Sequence, residues 1–220
     1  MKYYAIIVGG GSGKRMDSVL PKQFLLLKNK PILMHTIEKF SNCAYLPKII
    51  LVLHADLHEY WKELCIKYNF EIPHLLVTGG EQRFHSVRNG LKVIKENAIV
   101  AIHDAVRPLV STQLITKAFD IAEDKGNAIP YIKPSETVRK LNKNNSKVID
   151  REKVVLVQTP QTFESIQLKK AYQQPYSVEF TDDASVVEKN GIQIHLFEGE
   201  RNNIKITYPE DLTLAKLLIE

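Results

Sequence analysis

Tyr4-Ala5-Ile6-Ile7-Val8-Gly9-Gly10-Gly11-Ser12-Gly13-Lys14-Arg15-Met16 is an apolar, β-branched run that ends in four glycines within five residues. A short apolar run bounded by glycine reads as a buried strand. Glycines without a Cβ let backbone approach a ligand closely. Backbone N–H groups in such a loop can cradle phosphate oxygens. Arg15 and, beyond Pro21, Lys22 add full positive charge. The stretch predicts a strand feeding a loop that grips a polyphosphate. A glycine-rich turn without a ligand is the bland alternative.

Two better-known phosphate loops do not fit. The pattern G-x-x-x-x-G-K-[ST] needs glycine where Val8 stands, and Ser or Thr where Arg15 stands. The dinucleotide pattern G-x-G-x-x-G needs a third small residue, where this chain has Lys14 or Met16.

Outward from the loop the elements alternate. Tyr3–Val8, Lys48–His54, His74–Thr78, Ala98–His103 and Asn127–Ile132 read as strands. Pro31–Phe40, Leu57–Phe70, Phe84–Glu96 and a segment N-capped by Ser111 and running to about Lys125 read as helices. This order predicts an α/β fold: a Rossmann-like, mostly parallel sheet covered by helices on both faces. Ligands in such sheets bind beyond the carboxyl ends of the strands. Gly9–Gly13, Gly79-Gly80 and His103-Asp104 all fall at such ends. After Pro134 the alternation breaks. Two strands around Asn142–Ser146 predict a projecting β-arm over about 134–153, which needs a partner because a two-stranded ribbon is marginal alone. Helices over Glu164–Gln174 and from Thr181, strands near Gln193–Phe197 and Asn203–Thr207, and a helix opened by Pro209 complete the pattern.

The 220 residues suit a single domain spanning 1–220. Two cysteines give no disulfide framework, and no apolar run approaches a membrane span. A cytoplasmic protein without membrane contact is the expectation. The net charge of +5 is scattered along the chain, which speaks against nucleic acid and for an anionic small substrate.

Asp104, in His103-Asp104-Ala105-Val106-Arg107-Pro108, is placed to hold a hard divalent cation such as Mg²⁺. Arg107 could bind an anion in bidentate fashion. A capping Asp paired with its own Arg is the alternative. In Gly79-Gly80-Glu81-Gln82-Arg83-Phe84-His85-Ser86, backbone groups and the Ser86 hydroxyl could read a nucleobase, or simply cap a helix. Arg151, Thr159, Thr137, Thr181 and Lys205 suit a phosphate monoester, with a solvent-facing Lys205 as the alternative. The absence of Ser-His-Asp or Cys-His patterning argues against a covalent intermediate. The cations point instead to phosphoryl- or nucleotidyl-group transfer.

Gly9–Met16 with Pro21–Phe24, Gly79–Leu91, His103–Pro108, Gln158–Phe163, Thr181–Glu188 and Asn203–Leu212 together resemble the 2-C-methyl-D-erythritol 4-phosphate cytidylyltransferases, enzymes of the nucleotide-sugar-type nucleotidyltransferase fold. The chain departs in having Gly9-Gly10 where many members have two alanines, and Glu136 where Asp is usual. The resemblance implies CMP transfer from CTP to the polyol phosphate, with pyrophosphate released. It assigns Arg15, Lys22, Arg151 and Lys205 to catalysis. It assigns Gly9, Gly10, Gly11, Gly13, Gly80, Glu81, Ser86 and Asp104 to CTP, with Mg²⁺ on Asp104. Arg107, Thr137, Thr159 and Thr181 would surround the acceptor. The arm would reach a second subunit, giving a homodimer with a shared site. A ribitol 5-phosphate cytidylyltransferase is the nearest alternative, and a non-catalytic nucleotide-binding module a more distant one.

Overall fold

A computed structural model of the protein describes residues 1–9, 20–143 and 145–219. Gly10, Gly11, Gly13 and Arg15 lie outside the described residues.

The first half of the chain builds the predicted parallel sheet. β1 (Lys2–Val8) leads past a small ribbon of β2 (Leu26–Leu27) and β3 (Lys30–Pro31) into α1 (Ile32–Ser41). β4 (Lys48–Leu53), α2 (His58–Lys67), β5 (His74–Thr78), α3 (Arg83–Lys92), β6 (Ala98–Asp104) and α4 (Thr112–Lys125) follow. β1 pairs in parallel with β4 on one side and β6 on the other, and β4 with β5. Every residue of β6 is buried, as expected of a central parallel strand covered on both faces.

The alternation of side chains along β1 shows how both faces are used. Ala5 and Ile7 join Leu33, Phe40, Leu51, Trp61 and Phe119 in the core beneath α1, α2 and α4. Tyr4 and Ile6 face the opposite way, against Val87 and Leu91 of α3. Ser111 caps α4, its hydroxyl accepting from Leu114 N at 2.9 Å, a contact of a kind that contributes about 1 kcal/mol.

The second half departs from simple alternation. β7 (Asn127–Ile132) is followed by β8 (Val138–Asn142) and β9 (Asn145–Ile149), which among the described residues pair only with each other. These form the arm. Leu141 and Val148 stand 81% and 53% exposed on it. β10 (Leu156–Val157) and β11 (Gln161–Glu164) were not foreseen from the sequence. β11 runs antiparallel between β6 and β7 and joins them. α5 (Ser165–Ala171) and α6 (Asp183–Lys189) then cover the α3 face, β12 (Leu196–Glu198) pairs with β7, and α7 (Pro209–Leu218) closes the chain.

Residues 203–207 form no strand, contrary to the sequence expectation. They cross the carboxyl edge of the sheet without a ladder. Ile206 N donates to Val106 O, and Asn203 Nδ2 donates to Thr159 O at 2.8 Å. Among the described residues no helix is long and apolar enough to cross a membrane.

Candidate active site

The carboxyl ends of β1, β4, β5 and β6 meet along one edge. Gly9 N donates to Val52 O at 2.9 Å, Gly79 N to Leu53 O at 2.7 Å, and Ala105 N to Val8 O at 3.0 Å. A Cβ on Gly9 would sit 2.6 Å from Leu53 Cδ2, so a larger residue there would require the Leu53 side chain to turn away. Gln23, buried after Lys22, fixes the loop entrance by donating its Nε2 to Gly9 O at 2.6 Å.

Gly80 folds onto the first turn of α3. A Cβ there would lie 2.4 Å from His85 Cβ and 3.3 Å from its carbonyl carbon. Gly80 N donates to Ser86 Oγ at 3.1 Å, and Ser86 is buried. The Ser86 hydroxyl therefore shapes the turn, while Glu81 stands exposed at its tip.

Asp104 ends β6 inside a ring of cations. Lys205 Nζ lies 3.0 Å and Arg107 Nε 3.3 Å from its Oδ2; Arg83 Nε lies 3.6 Å from its Oδ1. Burial works against the charged carboxylate, yet Arg83, Lys205 and Arg107 hold Asp104 far below the usual carboxylate range. Arg107 Nη1 also donates to Asn203 O at 2.7 Å, which ties the last loop to the strand end. A pocket of about 230 Å³ opens over this cluster, lined by Arg83, Asp104, Arg107, Thr159, Thr181 and Lys205 among others. Five separately predicted residues thus converge: Asp104, Arg107, Thr159, Thr181 and Lys205.

Lys22 joins them from the other side, its Nζ donating to Ile206 O at 3.1 Å, next to Lys205. Thr137 and Arg151 do not line the pocket. They flank the base of the arm, both exposed or partly so, with Arg151 Nη1 donating to Ser135 O at 3.0 Å.

Two layers stand behind the pocket; the pairing in the first escaped sequence reading, while the second is built on His103, which the sequence suggests is a packed or hydrogen-bonded histidine. Arg83 makes a bidentate pair with Asp183, at 2.8 and 2.6 Å. Asp183 is fully buried and also accepts from Tyr172 Oη at 2.6 Å. Burial lowers the proton affinity of Arg83, but Asp183 and Asp104 outweigh it and bind the proton more tightly. Burial and Asp183 push the Tyr172 phenol well up, so it stays a donor. The second layer is a directed hydrogen-bond chain. Burial lowers the His103 pKa to about 3, leaving the ring neutral. Its Nε2 faces Arg107 O at 3.2 Å, a pure acceptor, so Nε2 carries the proton. Nδ1 is then the acceptor for Thr159 Oγ1 at 3.0 Å, and Thr159 in turn accepts from Asp104 N at 3.2 Å. The Thr159 hydroxyl proton points to His103, away from the pocket.

Fold and site together define a class, the α/β nucleotidyltransferases. The sequence model of the 2-C-methyl-D-erythritol 4-phosphate cytidylyltransferase family matches residues 3–220. Proteins of that name from Porphyromonas gingivalis and Bacteroides thetaiotaomicron are 50% and 47% identical over 219 residues. The alignments cover 99% and 100% of this chain, and 98% and 100% of theirs. The crystal structure of the Francisella tularensis enzyme of that name superposes with a TM-score of 0.83 at 32% identity, covering 100% of both chains. The chain belongs to the 2-C-methyl-D-erythritol 4-phosphate cytidylyltransferase family.

Proposed function

We infer that this chain transfers CMP from CTP to 2-C-methyl-D-erythritol 4-phosphate. A phosphate oxygen of the acceptor attacks the α-phosphorus of CTP, the bond to the β-phosphate bridging oxygen breaks, and pyrophosphate leaves. The observation that carries this reading is the convergence of Lys205 and Arg107 on an ionised Asp104 at the carboxyl edge, with Lys22 held to the adjoining Ile206 carbonyl.

The difficulty of the reaction is repulsion between two polyanions. Unit charges 4 Å apart repel by about 4 kcal/mol at an effective dielectric constant near 20. Lys22, with Arg15, would neutralise the triphosphate and the departing pyrophosphate, while Lys205 would draw the attacking phosphate in. The turn at Gly80 and Glu81 would receive the base.

Asp104 suits Mg²⁺. No group of three or more His, Cys, Asp or Glu gathers among the described residues. Mg²⁺ needs only one or two carboxylates when phosphates and water supply the rest. Asp104 provides one, ionised, with Oδ1 beyond hydrogen-bond distance of Arg83 Nε. The ion would neutralise phosphate charge. Arg107 and Thr181 border the acceptor side of the pocket, and Thr159 acts through His103.

Arg151 and Thr137 would complete the site from a second subunit. The exposed Leu141 and Val148 on an isolated ribbon support that homodimer.

Pyrophosphate release with CTP and each polyol phosphate tests the reading. Methylerythritol phosphate should be turned over and ribitol 5-phosphate should not; the reverse would reassign the acceptor. Lys22→Ala should lower kcat far more than it raises the Kd for CTP, and an unchanged kcat would remove Lys22 from the chemistry.

A further inference from the structure

A second cavity, of about 560 Å³, opens on the α3–α5 face and shares no lining residue with the pocket over Asp104. Its volume lies within the range of small-molecule sites. Leu91, Ile94 and Tyr172, each almost fully buried, make its apolar floor. Gln173 and three cations, Arg88, Lys92 and Lys169, complete the lining, and no carboxylate is among the residues that line it.

The charge pattern needs explaining. Arg88 and Lys92 stand four residues apart on one face of α3, a like-charge spacing that destabilises a helix. Lys169 approaches from α5. Among the described residues, the contacts these cations make are to neutral groups. Lys92 Nζ donates to Asn89 Oδ1 at 3.2 Å, and Lys169 Nζ to Ile94 O at 2.7 Å. The Arg88 guanidinium lies 5.6 Å above the Phe84 ring. Its Nε is buried and has no hydrogen-bond partner among the described residues. A buried N–H without a partner is costly, and a concave site with three uncompensated cations costs more. An anion would relieve both. A bare anion would leave Leu91 and Ile94 uncovered, whereas an anion carrying an apolar body covers them.

We propose that this cavity is a second ligand site, distinct from the catalytic pocket, for a small amphiphilic anion. Its phosphate-like head would sit between Arg88, Lys92 and Lys169, and its short apolar chain on Leu91, Ile94 and Tyr172.

The probe is octyl phosphate below its micellar concentration, titrated calorimetrically into the whole protein, with inorganic phosphate and octanol titrated separately. Octyl phosphate should bind with one-to-one stoichiometry, at least about tenfold more tightly than either part alone, and CTP should not displace it. Arg88→Gln should weaken binding about tenfold or more. Lys92→Gln, at an exposed position that tolerates substitution, should do the same while kcat and KM stay unchanged. No saturable binding, displacement by CTP, equal binding of inorganic phosphate, or unaltered affinity in both variants would each overturn the site.

Discussion

Lys205 Nζ and Asp104 Oδ2 lie 3.0 Å apart, and this ion pair joins the last loop of the chain to the end of its central strand. The two partners are unequally placed. Asp104 is 10% exposed at its side chain and Lys205 is 41% exposed. A pair that is half in solvent contributes little to stability, about 1 kcal/mol or less. Lys205→Met should therefore leave the urea unfolding midpoint almost unchanged. The same variant should lower kcat at least about a hundredfold, because the attacking phosphate would lose the cation proposed to draw it in. A large loss of stability with retained turnover would make Lys205 a structural residue.

The Arg83–Asp183 pair should behave in the opposite way. Asp183 is completely buried, holds Arg83 through two hydrogen bonds, and accepts a third from Tyr172. Removing one member of a buried pair costs up to about 3–5 kcal/mol when the other is left alone, and Asp104, 3.6 Å from Arg83, keeps the loss toward the lower end of that range. Asp183→Asn should show this loss in chemical denaturation. Arg83→Lys, which keeps the charge and loses the fork, should recover only part of it. Equal stability of all three proteins would remove the pair from the framework.

His103 gives the fold a pH signature. Its folded pKa, about 3, lies below the value near 6.5 of an unfolded histidine. Between these values the unfolded chain binds the extra proton, so stability falls as pH falls. The neutral ring thus contributes stability that is fully present above about pH 6.5 and is lost progressively toward pH 3. The slope from this group is about 1.4 kcal/mol per pH unit. Unfolding free energies of His103→Gln, measured across that window, should lack this slope. An unaltered pH dependence would show that the ring is protonated in the folded protein.

Gly80→Ala should affect CTP more than folding. The new methyl would fall 2.4 Å from His85 Cβ, which cannot swing away because it is bound directly to the helix backbone. The turn must shift, while the hydrophobic cores stay intact. A rise of about tenfold in KM for CTP, with a melting temperature lowered by a few degrees, is the expected pattern. An unchanged KM would separate the turn from the nucleotide.

What the sequence disclosed follows from the range of the interactions involved. β1, its glycine stop and the Ser111 cap are local patterns, and the strand-end rule then brought Gly9, Gly79 and Asp104 to one edge. Arg83 and Asp183 are 100 residues apart. Asp183 is ordinary in the first turn of α6, and Arg83 at the start of α3, though unusual for a cation there, names no partner, so their pairing could not be read locally. β11 was hidden for another reason. Gln158-Thr159-Pro160-Gln161-Thr162-Phe163 is polar and contains a proline, yet Gln161 and Thr162 are buried because β6 and β7 flank them on both sides. The pattern over Asn203–Thr207 predicts a strand carrying Lys205; that segment is instead a loop anchored by Asn203 Nδ2 donating to Thr159 O and by Arg107 Nη1 donating to Asn203 O.

The insertion of β11 between β6 and β7 also orders the birth of the molecule. β6 and β7 are consecutive strands that share no ladder; each finds the other only through residues 161–164. During synthesis, β1, β4, β5 and β6 can assemble as soon as they have left the ribosome. β7 must wait with no sheet partner until β10, about two dozen residues further on, has been made, and β11 follows it. The exposed arm is translated during that wait. Vectorial synthesis would thus deliver the half that carries Gly9, Gly80 and Asp104 first and the half that carries Thr159, Asp183 and Lys205 afterwards.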